Sequence, residues 1–538
     1  MNESKRKGDN TLDDSNSDFE DDTDDSSYQF ELSDSSDSED SEDDENSDDE
    51  SPQPLVNSPI DWKEADSSFV PRKTIPSYRK PVICLKDGCN EIDSFFSIFP
   101  KSLFMWIAEC TNERLKILEL KNKKKYAPTD YHEIMIVIGV TIIMSYNRVP
   151  YMSMLWSQNK SLRNEAVVAA ISRDRFLLLY SKMYFNNPKK PANAGKTYYM
   201  DELLSCLKGT FLRARSEATF QSIDECMMKC KARTSLKQFM KDKPTKRGIK
   251  GWVRADAESG YVYDINLYTG KSCGNEEGTL GERVVNTLCS TIRDPDVAIV
   301  MDRFFSSVRL HQTIKFPIVG TVITNRRNLP KMPGKLSRGD SMAKCTNTGV
   351  ICYKWQDTKE VTLLSNCHSH IIETTQRKQK DGSYKTFDCP QAINFYNKFM
   401  GGVDKADQYS TTYEVDRKST KWWKRVFHRL LQISAVNSWI LYKQLKKKDI
   451  PLIYFLIPLA AQLIDIGKSA STNARNTSTG RPPKKPKFTT IISHQPVEIR
   501  TSRRCRHCGS KKIQKRTSVL CNTCDTPLCI SCFVPYHK

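Results

Sequence analysis

Apolar side chains between residues 84 and 219 recur at the three- and four-residue spacing of an α-helix. Phe95, Phe99 and Leu103 belong to one such series, and Tyr131–Met144 is apolar enough to predict a helix that is buried on all sides. The Met and aromatic residues at this spacing are best explained as core. The pattern therefore predicts a mainly helical domain over residues 84–219.

Near Phe220 the pattern changes to short apolar runs bounded by turn residues, which is typical of β-strands. The predicted elements are the strands Gln221–Met228, Gly251–Ala255 and Gly260–Leu267, the helix Leu280–Ile292, a strand that ends at Asp302, the helix Ser306–Ile314 and the strand Pro317–Val322. This is the element order of a ribonuclease H-like α/β fold. We therefore predict such a core over residues 220–324.

The rest of the chain divides by composition and pattern. The predicted segments are a disordered acidic tail (1–75), an insertion domain (325–389), the last helix of the core (390–413), a second part of the helical domain (414–468), a basic linker (469–502) and a small Cys-rich domain (503–538). The tail is predicted to be disordered because Asp, Glu and Ser leave it too few apolar residues to form a core.

Carboxylates stand on several of these predicted elements. A buried strand that ends on Asp302 is a costly place for charge unless a metal ion or another partner is present. Asp224 lies on the first strand, while Asp404 and Asp407 share one face of a helix because they are three residues apart. These four residues are candidate metal ligands. The alternative for Asp302 is that it begins a turn or caps the next helix.

Three Cys-x-x-Cys pairs follow one another near the end of the sequence. This spacing lets both thiolates of a pair bind one tetrahedral zinc ion, so we predict a structural zinc module. The expected ligands are Cys505, Cys508, Cys529 and Cys532 for one ion, and Cys521, Cys524 and His537 for a second, interleaved ion. The second site is one ligand short, and either His507 or a water molecule is expected to complete it.

Charge is distributed very unevenly along the chain. There are 83 Lys and Arg against 64 Asp and Glu, but residues 1–50 hold 22 acidic and three basic side chains, which leaves a net charge of +38 on the remainder. This excess predicts a polyanionic partner, and nucleic acid is the first candidate. Generic solubilising charge is the alternative.

The expected location is inside the cell. We expect no secretory leader, because the N-terminus is polar and acidic, and the longest apolar stretches, Ile134–Met144 and Ile450–Ile464, are better explained as core than as membrane spans. The 18 cysteines are then expected to be reduced thiols or metal ligands. The basic residues of the linker predict a nuclear-import signal at Arg481, Lys484, Lys485 and Lys487. A solvated linker without that role is the alternative.

Several motifs, taken together and in order, resemble those of piggyBac-type DNA transposases and of their host-domesticated relatives. They are Ser222–Glu225, Lys243–Lys250, Met301–Phe305, Gly401–Gln408 and the Cys-rich module that ends in His537. The match covers the chain from about residue 84 to its end. The resemblance implies an enzyme that cuts and joins DNA at TTAA target sites through a hairpin intermediate.

The resemblance also implies the roles of individual residues. Asp224, Asp302 and Asp404 match the catalytic aspartates, which would hold two Mg²⁺ ions, and Asp407 matches a further acid near the site. The implied architecture is a helical dimerisation and DNA-binding domain split around the catalytic core, with a zinc module that binds the transposon end. The implied partners are double-stranded DNA and a second copy of the chain.

The basic segments supply the residues that we expect to contact DNA. These are Lys246, Arg247, Lys250, Lys421, Trp422, Lys424 and Arg425. Trp422 matches a family tryptophan near the active site. It either stacks on a base flipped out of the duplex, at a gain of about 1–3 kcal/mol, or belongs to the core of its helix.

Three hypotheses of different class follow from these observations. The first is an active transposase, and the second is a domesticated relative that binds DNA without transposing it. The third takes the zinc module as a cross-brace ubiquitin-ligase domain. Two departures from the family pattern, Arg303 for the usual Asn and Ala232 for the usual Gly, bear on activity without removing a metal ligand.

Overall fold

The computed structural model describes residues 60–475 and 495–537, apart from residues 242, 244, 271–276, 416, 418, 512 and 523. The chain divides into two compact units between Ala474 and Arg475. The predicted import signal at Arg481–Lys487 lies outside the described residues, as do residues 1–59 of the predicted acidic tail.

The first unit is built on a mixed sheet of ten strands. The strands are β1 (Trp62–Glu64), β2 (Phe220–Lys229), β3 (Lys237–Phe239), β4 (Arg247–Asp256), β5 (Val262–Leu267), β6 (Ala298–Met301), β7 (Ile318–Thr321), β8 (Ser341–Thr346), β9 (Ile351–Gln356) and β10 (Glu360–Ser365). Their order is β1-β8-β9-β10-β7-β6-β2-β4-β3, and β5 also pairs with β4. β6 lies parallel to both of its neighbours, β2 and β7, and the other pairs are antiparallel.

The segment predicted as an insertion domain, residues 325–389, instead extends this sheet. β10 pairs antiparallel with β7, with Leu363 opposite Thr321. Within the described part of the segment, the hairpin of β11 (Ile372–Lys378) and β12 (Tyr384–Pro390) forms a sheet of its own. The inserted strands β8, β9 and β10 thus belong to the same sheet as β7, and pairing between strands so far apart in sequence leaves no mark on the local pattern.

Residues 60–75 are folded, although composition assigned them to the disordered tail. β1 pairs antiparallel with β8 at the edge of the sheet. The indole of Trp62 donates to the carbonyl of Asn328 (3.0 Å), and the backbone N–H of Arg72 donates to the carbonyl of Gly349 (2.9 Å). A segment with few apolar residues can fold here because it adds to an edge that already exists.

Helices from two separate parts of the chain form one layer. The helices of this unit are α1 (Glu91–Ile98), α2 (Lys101–Asn122), α3 (Tyr131–Tyr146), α4 (Glu165–Ala170), α5 (Arg173–Lys182), α6 (Tyr198–Ala214), α7 (Leu280–Cys289), α8 (Val308–Thr313), α9 (Gln391–Phe399), α10 (Gly402–Thr412), α11 (Trp422–Lys446) and α12 (Leu452–Arg475), with a short 3₁₀ helix at Met152–Trp156. α1 packs on α11, and one buried apolar cluster joins the helices before β2 with α11 and α12.

α12 is long and apolar enough to cross a membrane by length and composition, and 44% of the window Leu452–Ser469 is buried. Phe455 and Leu459 are fully buried in the helical cluster. Gly139 of α3 approaches α12 so closely that an added Cβ would lie 3.0 Å from the carbonyl oxygen of Ala460. This packing agrees with the interpretation of the stretch as a core helix.

The apolar run of β6 reflects burial on both faces of the sheet. Ile299 and Met301 pack with α7 and α8 on one face. Ala298 and Val300 pack with Phe399 of α9 on the other. The end of this strand therefore lies between two layers of helices, where a carboxylate can be held rigidly.

α10 makes its closest approach to the sheet at Gly402. A Cβ at this position would lie 2.5 Å from Ser222 Oγ and 2.7 Å from the carbonyl oxygen of Asp256. The backbone N–H of Val403 donates to the same Ser222 hydroxyl (3.1 Å). The space between helix and sheet therefore requires glycine at this position.

The second unit contains a small hairpin and two short helices. β13 (Pro496–Arg504) pairs antiparallel with β14 (Arg516–Cys521), and the helices are α13 (Arg506–Ser510) and α14 (Ile530–His537). Its buried cluster consists largely of cysteines, with Leu528 and Phe533 as its main apolar members. A core this small is typical of a domain that is stabilised by metal ions.

The substitution Gly402→Ala should lower the free energy of unfolding by about 1–3 kcal/mol, because backbone atoms of the sheet would have to move. Gly401→Ala is the matched control, since nothing lies within 4 Å of its added Cβ. We expect a loss below about 1 kcal/mol there. Denaturant unfolding followed by tryptophan fluorescence measures both losses, and equal losses would contradict the role of close packing.

His428 on α11 should make the protein sensitive to acid. It is buried, with Nε2 3.1 Å from the hydroxyl of Tyr180. Burial lowers the pKa of His428 to about 3, and the charges of Arg425 and Lys424 add to this effect. Because the unfolded histidine titrates near 6.5, the unfolded state takes up the proton first as the pH falls. Stability is therefore complete above pH 6.5 and is lost progressively below it.

The expected slope from this residue is about 1.4 kcal/mol per pH unit between pH 6 and 4. Denaturation midpoints of the wild type and of His428→Gln, compared from pH 7.5 to 5, measure it. The variant should lose less stability over this range, while His311 and His368, whose pKa values burial also lowers, continue to contribute. Parallel curves for the two proteins would show that His428 is not the titrating group.

Candidate active site and metal-binding clusters

Two aspartates lie at corresponding positions of adjacent parallel strands. β2 and β6 pair in register from Phe220 opposite Ala298 to Ile223 opposite Met301. The next residues are Asp224 and Asp302, so strands about 4.8 Å apart bring these residues side by side. Asp224 is buried, with 9% of its surface exposed, and Asp302 is half-buried.

Neighbouring groups fix the orientation of Asp302. One of its carboxylate oxygens accepts hydrogen bonds from the backbone N–H of Arg303 (2.7 Å) and from the hydroxyl of Thr321 (3.1 Å). The Tyr396 hydroxyl lies 3.4 Å from the same Thr321 hydroxyl. Thr321 is the last residue of β7 and Tyr396 belongs to α9, so two further elements hold the carboxylate.

α10 brings the other two acids to the same side of β2. Asp404 lies in its first turn and is exposed, whereas Asp407, one turn later, forms an ion pair with the buried Arg429 of α11. Asp407 thus has a protein cation as its partner. Its role as a magnesium ligand stays a prediction.

Tyr396 of α9 lies within electrostatic range of the three predicted catalytic acids. Burial raises the pKa of Tyr396 and the Thr321 hydroxyl opposes that shift, while the charges of Asp302, Asp224 and Asp404 raise the pKa further. A phenol whose pKa responds to all three carboxylates lies within electrostatic range of each of them. These three carboxylates come from β2, from the residue after β6 and from α10.

The chemistry of this pocket fits a divalent cation. Burial raises the pKa of Asp224 to about 7, against the charge of Lys243, which lowers it. A carboxylate that burial makes reluctant to ionise is stabilised by a nearby cation, and oxygen ligands are those that Mg²⁺ prefers. The aspartate oxygens are less closely grouped than the cysteine sulfurs. Among the described residues, the groups of three or more ligand atoms all within 4.8 Å are the two Cys clusters.

The second unit brings the predicted cysteines together in the predicted pairing. The ligand atoms of the first and third pairs, Cys505, Cys508, Cys529 and Cys532, all lie within 4.8 Å of one another. The Sγ atoms of Cys508 and Cys532 are 3.4 Å apart. Four sulfurs at this spacing can surround one tetrahedral ion.

The other cluster contains Cys521, Cys524 and His537. Nε2 of His537 lies 3.2 Å from the Cys524 Sγ, and Nδ1 lies 2.7 Å from the Phe533 carbonyl oxygen, to which it can donate. This bond selects the tautomer whose Nε2 is free to bind a metal. His507 is not among the grouped ligand atoms, and its ring meets the edge of Tyr536 instead.

The residues predicted to contact DNA divide into two groups. Lys246 and Arg247 are exposed, as such contacts require. Lys250 lies inside, with Nζ 2.8 Å from the Glu225 carboxylate and over the rings of Trp252 and Phe304.

The structure corrects the prediction of DNA contact for the residues at the start of α11. Lys421, Trp422, Lys424 and Arg425 are all buried, with at most 7% exposed. The Arg425 guanidinium donates to the carbonyls of Lys229 (2.9 Å) and Val415 (3.0 Å). Trp422 packs in the helical cluster, in agreement with its interpretation as a core residue.

The sequence pattern assigned no role to four residues that contact or surround the acids. They are Lys243, Thr321, Tyr396 and Arg429. Thr321 could have been found, because it ends the strand next to β6 in a parallel arrangement. Tyr396 and Arg429 carry no such signal, since their positions depend on how α9 and α11 pack.

The class of protein follows from its family. A family model described as Transposase IS4 matches residues 90–439, which is more than half of the chain. The protein therefore belongs to that family, and its relatives place it among the piggyBac-type members. This agrees with the resemblance that the sequence motifs indicated.

Two curated relatives and one solved structure are similar to the chain. PiggyBac transposable element-derived protein 3 of Homo sapiens is 26% identical over 424 residues, or 75% of this chain and 70% of that protein. PiggyBac transposable element-derived protein 2 of Homo sapiens is 23% identical over 399 residues, or 70% of this chain and 66% of that protein. A piggyBac transposase synaptic complex with hairpin DNA, solved by cryo-EM, matches with a TM-score of 0.66 at 21% identity, over 85% of this chain and 98% of that one. This last similarity concerns the fold alone.

Removing one cysteine of the four-sulfur cluster should release one metal ion. We expect Cys508→Ser to lower the metal content from about two ions per chain to about one, because three ligands hold zinc more weakly than four. Cys345→Ser, outside both clusters, is the control. Elemental analysis of the purified proteins measures the content. An unchanged content in Cys508→Ser would contradict the assignment of that cluster.

Proposed function

We propose that this protein is a cut-and-paste DNA transposase whose active site consists of Asp224, Asp302 and Asp404. The observation that chiefly supports the proposal is the register of β2 with β6, which brings Asp224 and Asp302 side by side next to the helix of Asp404. Membership of a transposase family supplies the reaction class. The reaction would be cleavage and strand transfer at TTAA sites, with a hairpin intermediate.

The strand order supports a ribonuclease H-like core for this reaction. In space the central strands run β7-β6-β2-β4-β5, with β6 parallel to β2 and β7 and with β4 antiparallel to β2 and β5. This is the arrangement that the predicted element order of a ribonuclease H-like fold implies. The carboxylates then lie where the central parallel strands end.

The proposed chemistry is in-line phosphoryl transfer. Two Mg²⁺ ions, held by Asp224, Asp302 and Asp404, would activate the attacking oxygen and stabilise the leaving 3′ oxygen. Water attacks first, and the bond from phosphorus to the 3′ oxygen breaks. The freed 3′-hydroxyl then attacks the opposite strand, so that one phosphodiester bond replaces another. The protein contributes position, with Thr321 and Tyr396 orienting Asp302.

The proposed partners are double-stranded DNA and a second copy of the chain. Lys246 and Arg247, exposed where β4 begins, would contact phosphates near the pocket, and this part of the affinity should fall with salt. The two Cys clusters would hold structural Zn²⁺ ions in a module that binds the transposon end. We propose a nuclear location, which the predicted import signal supports.

The second candidate function is a domesticated relative that binds DNA without transposing it. The similarity to PiggyBac transposable element-derived proteins favours this alternative. The presence of Asp224, Asp302 and Asp404 in the sequence favours the enzyme. A DNA cleavage assay distinguishes the active transposase from the DNA-binding relative.

Purified protein with Mg²⁺ should nick DNA that carries the transposon ends flanked by TTAA and should then form hairpins. Asp302→Asn should lower the rate by at least about 100-fold, because the loss of one ligand charge weakens the hold on the metal ions. Denaturing gel electrophoresis of end-labelled DNA measures both products.

Asp296→Asn, the same chemical change on an exposed residue before β6, is the matched control and should retain its activity. Specific binding of these ends without cleavage by the wild type would reject the enzyme and leave the DNA-binding relative. Equal cleavage by Asp302→Asn would reject the assignment of the active site.

A further inference from the structure

Two lysines bind the same glutamate beside the acidic pocket. Glu225 follows Asp224 on β2, and its carboxylate lies 2.8 Å from Nζ of Lys250 and 3.4 Å from Nζ of Lys243. Lys250 lies on β4 and is held over the rings of Trp252 and Phe304. Lys243 lies in the segment between β3 (Lys237–Phe239) and β4 (Arg247–Asp256).

Lys243 also interacts with the predicted metal ligands. Burial lowers the pKa of Lys243, but the charges of Asp224, Glu225 and Asp404 outweigh burial and raise it. In return, its charge lowers the pKa of Asp224 and that of Asp407. Its ammonium group therefore contacts Glu225 and lies within electrostatic range of carboxylates from both β2 and α10.

Lys243 differs from the other cation of this region in its freedom to move. Arg429 pairs with Asp407, and its side chain is only 5% exposed. The Lys243 side chain is 32% exposed, and lysine carries a compact charge on a flexible stem. Lys243 can therefore leave the pocket for solvent without unpacking the core, whereas Arg429 cannot.

We propose that Lys243 is a tethered counter-ion, which neutralises the acidic pocket when no metal is bound and is displaced when divalent cations enter. The inference rests on the proposed function, because it takes Asp224, Asp302 and Asp404 as the metal ligands. Clustered carboxylates repel one another in a pocket of low polarity, so a protein without metal needs a cation there. The same cation repels an incoming metal ion, so Lys243 weakens metal binding.

Removing this charge should strengthen the binding of Mg²⁺. Lys243→Gln keeps most of the length and polarity of the side chain, and we expect it to bind Mg²⁺ at least about tenfold more tightly than the wild type, since one nearby unit charge no longer opposes the ion. Lys243→Arg keeps the charge and should bind like the wild type. Isothermal titration with Mg²⁺ alone, without DNA, measures the affinities.

Lys250→Gln is the matched control for metal affinity. It removes a lysine from the same Glu225 but leaves Lys243 in place, so its affinity for Mg²⁺ should stay within about twofold of the wild type. The melting temperatures provide a second measurement. Without metal, Lys243→Gln should have a lower melting temperature than the wild type. Addition of Mg²⁺ should raise the melting temperature of Lys243→Gln by more than it raises that of the wild type.

The outcomes separate this inference from the proposed function. Equal or weaker Mg²⁺ binding by Lys243→Gln, with tight binding by the wild type, would overturn the tethered counter-ion and leave the active site intact. An equal gain in Mg²⁺ affinity in Lys243→Gln and Lys250→Gln would also overturn the inference. Any positive charge near Glu225 would then weaken Mg²⁺ binding, and Lys243 would have no special role. Absence of Mg²⁺ binding in all four proteins would overturn the metal site and the inference together.

Discussion

The close contact between α10 and β2 determines the geometry of the pocket. Gly402 lies against Ser222 and the backbone of β4, and the N–H of Val403 donates to the Ser222 hydroxyl. Asp404 follows two residues after Gly402, just as Asp224 follows two residues after Ser222. The contact between these two short segments thus fixes how far the third carboxylate lies from the other two, while the parallel pairing of β2 with β6 fixes the first two.

The features that the sequence predicts correctly are those with local causes. The run before Asp302 is apolar at every position because both faces of β6 are buried. Such a run can be recognised in the sequence without knowledge of the neighbouring elements. The Cys pairs are close in sequence because the two thiolates of a pair bind one ion, so their grouping follows from spacing and from the alternation of interleaved sites. The order of strands and helices between residues 220 and 322 was likewise predictable from local sequence patterns.

The features that it misses depend on distant partners. Lys424 and Arg425 have the composition of a DNA-binding face, yet their charges meet the backbone carbonyls of α5 and β2, and the helix is buried around them. The strands of residues 341–365 resemble a separate domain until β10 is seen to pair with β7. Charge and local pattern give the composition of a segment and its secondary structure. Its tertiary contacts depend on how the rest of the chain folds.

Electrostatics connects these observations. An active site of carboxylates without metal is a concentration of like charge that burial makes more costly, as the raised pKa of Asp224 shows. The protein offsets this cost with two cations of different kind. Arg429 is buried, and its planar guanidinium is always charged. It forms an ion pair with Asp407, the acid farthest along α10. Lys243 is half-exposed and serves Asp224 and Asp404, the acids that a metal ion would bind. A buried guanidinium keeps the charge of Asp407 compensated at all times. A half-exposed ammonium group can yield its place beside Asp224 and Asp404 to another cation, as the counter-ion proposal requires.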